Sequence, residues 1–432
     1  MAAILGLGNP LLDISVELKD LALLERYGLK MGNAILAAPE HAPLYSELVS
    51  TFGAGVQYIA GGATQNSVRV AQWVSGQPAG HAAYVGAVGD DAFGKTLAAA
   101  AAADGVSALY QVSAGKPTGT CAVLVHEQER SLVANLAAAE TLAEAHLDTP
   151  EVAAAVASAR VVYCAGFPLT HAGGAASVQR LGKAYADANK VFATNLSAPF
   201  IVQVRRRSHA RARASDTPGC DGNERIGGAG AAHPRAPGPS SRPRGQPGTP
   251  ISERQNRCFA RPRRLAGVAL HARTFTRSPP VARARPPSPP QFFKETLDKV
   301  LPFADFVFGN ESEAEAFAST NGMPGASIDA VALAIAALPK ANAARARVAI
   351  ITQGPKATVV AEGGVVRHIE VAPVDKIVDV NGAGDAFVGG FLAVIARGGS
   401  VDAAVRAGQW AAAHVIQRSG CTFDASVKYA FE

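Results

Sequence analysis

The sequence predicts an α/β fold interrupted once by a segment of foreign composition. Three observations carry that expectation. Short apolar runs alternate with alanine-rich stretches of helical spacing along most of the 432 residues, 48% of which are hydrophobic, as when strands and helices cover one another in layers. No run of 18 or more apolar residues occurs, which argues against a membrane-spanning helix. Finally, the composition changes abruptly between Val202 and Pro290. That window holds 18 arginines, no lysine, 14 of the 27 prolines and only four acids, Asp216, Asp221, Glu224 and Glu253. It therefore carries +14 (18 minus 4) and leaves −8 on the other 343 residues of a chain whose net charge is +6.

Taken in order, residues 3–7, 81–88, 160–165, 191–195, 303–308 and 348–352 read as buried strands. Residues 64–73, 94–103, 149–157, 174–188 and 326–338 have the apolar spacing of helices packed on a sheet. The more polar stretches 119–127 and 129–133 flank a turn and read as a hairpin beyond the main sheet. The window has eight Ile, Leu and Val residues without periodicity, too few to offset the entropy of ordering its backbone, so it reads as disordered. The chain opens as a strand entering a turn rather than as a secretory leader. Its cysteines, Cys121, Cys164, Cys220, Cys258 and Cys421, form no C-x-x-C pair. A disulfide framework or zinc site is not expected, and a reducing cytoplasmic setting fits. Cys121 and Cys164 read as small packed hydrophobes.

Chemistry concentrates at strand-to-helix junctions. Residues 377–391, IVDVNGAGDAFVGGF, read as a strand ending near Val380, a glycine turn, and a helix starting around Asp385. Gly382, Ala383 and Gly384 let successive N–H groups converge at a helix N-terminus, which makes an anion site. Asp385 there reads either as a helix cap or as a base taking a proton from an attacking hydroxyl beside that anion hole. In residues 308–315, FGNESEAE, Asn310 and Glu313 share one helical face. They can hold the water shell of Mg²⁺ or simply favour the helix dipole. Asp13, in the stretch that begins at Asn9, can accept hydrogen bonds from a vicinal diol. Gly61 and Gly62 admit a ligand close to the backbone, and Asn66 can donate and accept together. Each of these also reads as a plain turn residue.

In this order the segments resemble the ribokinase-like (PfkB) carbohydrate kinases, and most specifically their adenosine-phosphorylating branch. The stretches GNPLLDIS (8–15), GATQNS (62–67), PTGTCA (117–122), RSLVANLAA (130–138) and NLSAPF (195–200) carry the resemblance. It covers residues 1–201 and 291–432, which it implies form one kinase domain with a small lid from N-terminal segments. The implied fold is a doubly wound, mostly parallel sheet flanked by helices, with a small β-sheet lid. The implied reaction moves the γ-phosphate of ATP to the 5′-hydroxyl of adenosine with Mg²⁺, Asp385 being the base and 382–384 the anion hole. Arg130 on the lid is implied to swing to the phosphates. Asn9, Asp13, Gly61, Gly62, Asn66 and Asn195 are implied to hold the nucleoside. Leu36, Cys121, Leu132, Leu136, Phe167 and Phe200 are implied to form its base slot. Thr352, Gly354, Asn381 and Gln409 fall to ATP, and Asn310 with Glu313 to the metal through water.

The sequence departs from the family pattern at Val380, where a Thr is usual, at Ala34, where some relatives carry Gln, and at Gln409, where many have His. These changes bear on nucleotide affinity rather than on reaction type. The resemblance also makes the arginine-proline window an insertion, with the composition of translated GC-rich non-coding sequence, as in a retained intron. A related sugar or nucleoside kinase, an inactive variant, or salt-dependent nucleic-acid binding through the arginines are the alternatives. The last lacks aromatic interleaving, since only Phe259 and Phe275 occur in the window. The expected protein is a monomer of the cytoplasm, with the nucleus as a second expected compartment, and without membrane or specific nucleic-acid partners.

Overall fold

The computed structural model describes residues 2–127, 129–203 and 291–431. Expectations for the arginine-proline window from 204 to 290 lie outside the described residues. Among the described residues no helix is long and apolar enough to cross a membrane.

Two sheets form the frame. The larger runs, edge to edge, through Val365–Ile369, Lys356–Glu362, Val348–Gln353, Phe306–Asn310, Val191–Asn195, Val161–Cys164, Ile4–Leu7, Ala82–Gly89 and Ser107–Ser113. Its pairings are parallel from Val348–Gln353 to Ser107–Ser113, and an antiparallel hairpin closes the other edge. Strand alternation divides the core between the two faces. Leu5, Leu7, Val162, Val307 and Ile351 face helices Ala172–Asp187, Gln291–Val300 and Ile328–Ala336. Ile4, Tyr84, Tyr163, Phe308 and Ile350 face helices Ala63–Ser75, Ala383–Ile395 and Val401–Val415. A sheet covered on both faces needs strands that are apolar throughout, which is why Ile4–Leu7 and Ala82–Gly89 are buried at every position.

The smaller sheet has the order Ala34–Leu36, Glu129–Asn135, Thr120–His126, Leu11–Glu17 and Gln57–Gly61. Two short crossings tie it to the larger one. Ile4–Leu7 continues through Asn9 and Pro10 into Leu11–Glu17, and Gln57–Gly61 passes through Gly62 into helix Ala63–Ser75. Gly62 sits at φ +97, and an added Cβ would lie 2.4 Å from the Asn9 carbonyl oxygen, so only glycine makes this crossing. Both crossings lie at the carboxyl end of Ile4–Leu7, whose neighbours Val161–Cys164 and Ala82–Gly89 lead away in sequence to opposite sides. In an open α/β sheet that is where ligands bind.

Some boundaries differ from the sequence reading. The hairpin is present, but its second strand runs on to Asn135 because it also pairs with Ala34–Leu36. The strand read from 303 begins at Phe306, since Leu301–Phe303, with Pro302, is a tight 3₁₀ turn. No strand ends near Val380. There the Val378 and Asp379 amides donate to the Ile416 carbonyl at 2.8 and 3.1 Å, so the segment is anchored to a helix end rather than to a ladder.

The described chain on either side of the window meets within one core. Ile201 and Val202 are buried with Leu297, and the Phe200 and Phe293 rings pack edge to face at 6.1 Å. Replacing residues 204–290 by a short glycine-serine linker should therefore leave the thermal unfolding midpoint equal to or above the parent's. Shortening a loop recovers about 0.6 kcal/mol per halving. A lower midpoint in differential scanning calorimetry would assign part of the core to the window.

Candidate active site

Helix Ala383–Ile395 is seated by glycines. An added Cβ on Gly389 would lie 2.6 Å from the Ser67 carbonyl oxygen, and one on Gly390 would lie 2.4 Å from that of Ala407. The helix therefore approaches both Ala63–Ser75 and Val401–Val415 more closely than any other residue type allows. At its N-terminus Gly382 has φ +80, with an added Cβ 2.7 Å from Cys421 Cβ, so both backbone and space demand glycine. Gly384 has open space around it.

Among the described residues, the Gly382, Gly384 and Asp385 N–H groups donate to no main-chain carbonyl. They are the orphan donors of a helix start, an anion-attracting cluster. Ala383, expected in that cluster, is otherwise engaged: its N–H closes the turn onto the Val380 carbonyl at 3.2 Å.

Asp385 is half-buried on the first helical turn. Its Oδ2 accepts a hydrogen bond from Asn66 Nδ2 at 3.0 Å, and Arg69 Nη1 donates to Asn66 Oδ1 at 3.4 Å. Asp13 approaches from the small sheet, where an added Cβ on Gly61 would lie 2.4 Å from its carboxylate. A glycine at 61 is thus what gives Asp13 its room.

Three cavities line up around the glycine turn. The first, about 200 Å³, lies between the sheets and is lined by Asn9, Asp13, Gly62, Asn66, Cys121, Leu132, Leu136, Phe167, Asn381 and Asp385. The second, about 170 Å³, has Asn195, Asn310, Glu313, Thr352, Gly384 and Asp385 in its walls. The third, about 500 Å³ and largely apolar, is walled by Thr352, Gly354, Val374, Ile377, Gly384, Phe387 and Gln409, among others. Asp385 belongs to the first two and Gly384 to the last two.

Several expected site residues lie elsewhere. Leu36 packs beside the cluster of Leu11, Cys121 and Leu136 without lining the first cavity. Phe200 stands behind Phe167, ring to ring at 5.9 Å. Asn381, expected with ATP, lines the first cavity. Gln409 lines the third, its Nε2 already donating to Thr358 Oγ1 and the Ile369 carbonyl. Arg130 lines none of the three and is buried in an ion pair with Asp379. That aspartate also accepts from the Asn381 and Gly420 amides, both at 2.6 Å. Asp379 was missed as a site residue, although its place three positions before Gly382 was a signal. Ile35, Thr64 and Ser197 also line the first cavity; Thr64 and Ser197 lie in the stretches GATQNS and NLSAPF, where the sequence reading did not single them out.

Asn310 and Glu313 form a reciprocal cap. Asn310 Oδ1 accepts from the Glu313 N–H at 2.9 Å, and Glu313 Oε2 accepts from the Asn310 N–H at 3.0 Å. The helix-start reading of this pair is therefore present in the structure. Glu313 Oε1 takes no part in the capping, and Glu313 lines the second cavity. No group of three or more His, Cys, Asp or Glu suited to a metal occurs among the described residues. A cation held through its water shell suits this donor set, and a bare cation does not.

Burial raises the pKa of each acid in the cleft. Asp385 is pushed up to about 6, against the opposing Asn66 hydrogen bond. Glu313 is pushed up to about 7, by burial first and by Asp385 as well. Asp13 reaches about 8, through burial and then Asp385, with Arg69 opposing. All three folded values lie above the ordinary carboxylate range, so the folded chain holds more protons than the unfolded one between about pH 4 and 8.

Fold and site together define a lidded α/β phosphotransferase. The pfkB family carbohydrate kinase model matches residues 22–216 and 266–428, and the chain belongs to that family. The stretch between the matched segments, 217–265, falls inside the arginine-proline window. The chain is 37% identical over 422 residues to adenosine kinase 2 of Arabidopsis thaliana, spanning 97% of this chain and 95% of that one. It is 34% identical over 426 residues to the adenosine kinase of Dictyostelium discoideum, spanning 98% and 97%. Among solved structures, Anopheles gambiae adenosine kinase in complex with P1,P4-di(adenosine-5) tetraphosphate matches with TM-score 0.74 and 34% identity, covering 99% of each chain. Schistosoma mansoni adenosine kinase in complex with 2-fluoroadenosine matches with TM-score 0.73 and 29% identity, covering 98% and 97%.

The raised pKa values make this cleft a source of pH-dependent instability. The stability these acids contribute is fully present below about pH 4 and is lost as pH rises through their folded values, the loss being complete above about pH 8. Asp13→Asn should flatten the fall in unfolding midpoint between pH 5 and 8.5 measured by scanning calorimetry without ligand. An unchanged slope would show that Asp13 titrates normally.

Proposed function

We infer that this chain phosphorylates adenosine at its 5′-hydroxyl with ATP, releasing AMP and ADP. The observation that carries the reading is the position of the glycine turn. Asp385 stands in the wall shared by a nucleoside-sized cavity and the next one, while Gly384 faces the cavities on the far side.

In this reading adenosine occupies the first cavity. Asp13, Gly62 and Asn66 hold the ribose side, Asn9 meets the nucleoside from the cavity wall, and Cys121, Leu132, Leu136 and Phe167 contact the base. The ATP base takes the third cavity, beside Gln409, Thr352 and Gly354, so the transferring phosphoryl group lies over the turn. The Gly382 and Gly384 amides, at the positive end of a helix, stabilise charge spread over its oxygens. Asp385 accepts the proton of the attacking hydroxyl, and a base near pKa 6 is ionised at neutral pH. Arg130 reaches the phosphates only by exchanging Asp379 for them, so we assign it to the closing lid, which excludes water. Glu313 and Asn310 would hold Mg²⁺ through its waters, the cation supplying charge neutralisation on the phosphates.

We place the enzyme in the cytoplasm as a monomer. The free thiols of Cys121, Cys164 and Cys421, all buried, suit a reducing compartment. The catalytic domain in this proposal is residues 1–201 with 291–432, and the window takes no part in the reaction.

Asp385→Asn should lower kcat about 10²–10⁴-fold, the usual contribution of a positioned base, with adenosine binding retained. The measurement is coupled ADP release alongside adenosine calorimetry. Turnover within tenfold of the parent would remove Asp385 from the mechanism. A parent that phosphorylates inosine, ribose or fructose in preference to adenosine would replace the substrate assignment while leaving the reaction type.

A further inference from the structure

His171 is a half-buried titratable side chain that the proposed mechanism does not use. It ends the 3₁₀ turn Phe167–Thr170 and caps helix Ala172–Asp187, its Nδ1 accepting the Gly174 N–H at 3.1 Å. Its Nε2 lies 3.0 Å from Asn9 Oδ1. Burial lowers its pKa to about 4, so the ring is neutral at physiological pH. A neutral imidazole that accepts at Nδ1 must carry its proton on Nε2. The proton therefore points at Asn9, and the atom of Asn9 that meets it must be the carbonyl oxygen.

That settles which way round the Asn9 amide stands. Asn9 is only 6% exposed and lines the first cavity. Its Nδ2 is buried and has no hydrogen-bond partner. A buried donor left without a partner is destabilising, and rotating the amide to relieve it would set the Nδ2 hydrogens against the Nε2 proton of His171.

We propose that His171 is a positioning residue that fixes the Asn9 amide in the wall of the cavity with Nδ2 as its unmet donor, so that this subsite selects a nucleoside presenting an acceptor atom there. The acceptor is a ring nitrogen of aza type or a sugar oxygen. An analogue with C–H at that atom leaves the Asn9 donor unmet and is rejected. The inference rests on the nucleoside reading of the first cavity.

The test uses the full chain and compares calorimetric binding and KM for adenosine, 1-deaza-, 3-deaza- and 7-deazaadenosine, and 2′-deoxyadenosine. In the parent, one of the four analogues should bind about tenfold to a hundredfold more weakly than adenosine through this contact, the span of an unmet buried donor. His171→Asn keeps a good helix cap but is too short to hold Asn9. It should weaken adenosine and leave that one analogue unchanged, collapsing the ratio to within about threefold while kcat stays near the parent's. His171→Phe removes both the cap and the donor and should collapse the same ratio with a lower unfolding midpoint. Unchanged ratios in His171→Asn, or equal weakening of every ligand, would overturn the positioning role. A parent that binds none of the series defeats the nucleoside reading itself, and this inference with it. Binding of adenosine by the parent with selectivity intact in both variants defeats the inference alone.

Discussion

The cleft depends on one close contact, the seating of helix Ala383–Ile395 against helix Ala63–Ser75. Gly389 lies on the Ser67 carbonyl, and that approach sets Asp385 within hydrogen-bond reach of Asn66. The other end of the turn is braced by Cys421, which Gly382 touches. Arg69 donates to the Cys421 carbonyl and to Asn66, and Asp379 holds the neighbouring Gly420 amide. One arginine and one aspartate thus fix both supports of the turn. Because Asp379 also receives Arg130 from the hairpin of the smaller sheet, that sheet and the turn share a single buried carboxylate.

Holding Asp13, Glu313 and Asp385 in one cleft opposes stability, since burial and mutual repulsion both disfavour their charged forms. A folded core rarely keeps such a cluster without a use, and perturbed acids in a cavity are the usual mark of one. Here the use follows from position. A base must be partly desolvated to have a pKa near the working pH, and an anion hole must sit close to it. The start of helix Ala383–Ile395 brings the two together, with the free Gly382 and Gly384 amides immediately ahead of a half-buried Asp385.

The frame was legible because its signals are local. Strands Ile4–Leu7, Ala82–Gly89 and Val191–Asn195 are short, apolar and bounded by glycine or polar residues, and each appears close to where its composition places it. Glycine turns also announce themselves, since few residues tolerate φ near +80 or +97. Contacts made across distant segments were not legible. Arg130 and Asp379 are far apart in sequence, and nothing in either stretch signals that they pair. His171 carries no signal in the sequence, and only the fold brings it to Asn9. Phe200 sits in a motif segment, yet Phe167 stands in front of it, an order that only packing decides. The strand read near Val380 failed for a related reason. An apolar run of a few residues is compatible with a strand, but here its amides found a helix carbonyl at Ile416.

The most direct measurement is a crystal structure of the chain with adenosine and a non-hydrolysable ATP analogue. The 5′-oxygen should lie within about 2.6–3.2 Å of an Asp385 carboxylate oxygen, with the terminal phosphate on the Gly382 and Gly384 amides. A nucleoside bound between the two sheets whose 5′-oxygen points away from Asp385, or a terminal phosphate held elsewhere than on that turn, would contradict the mechanism.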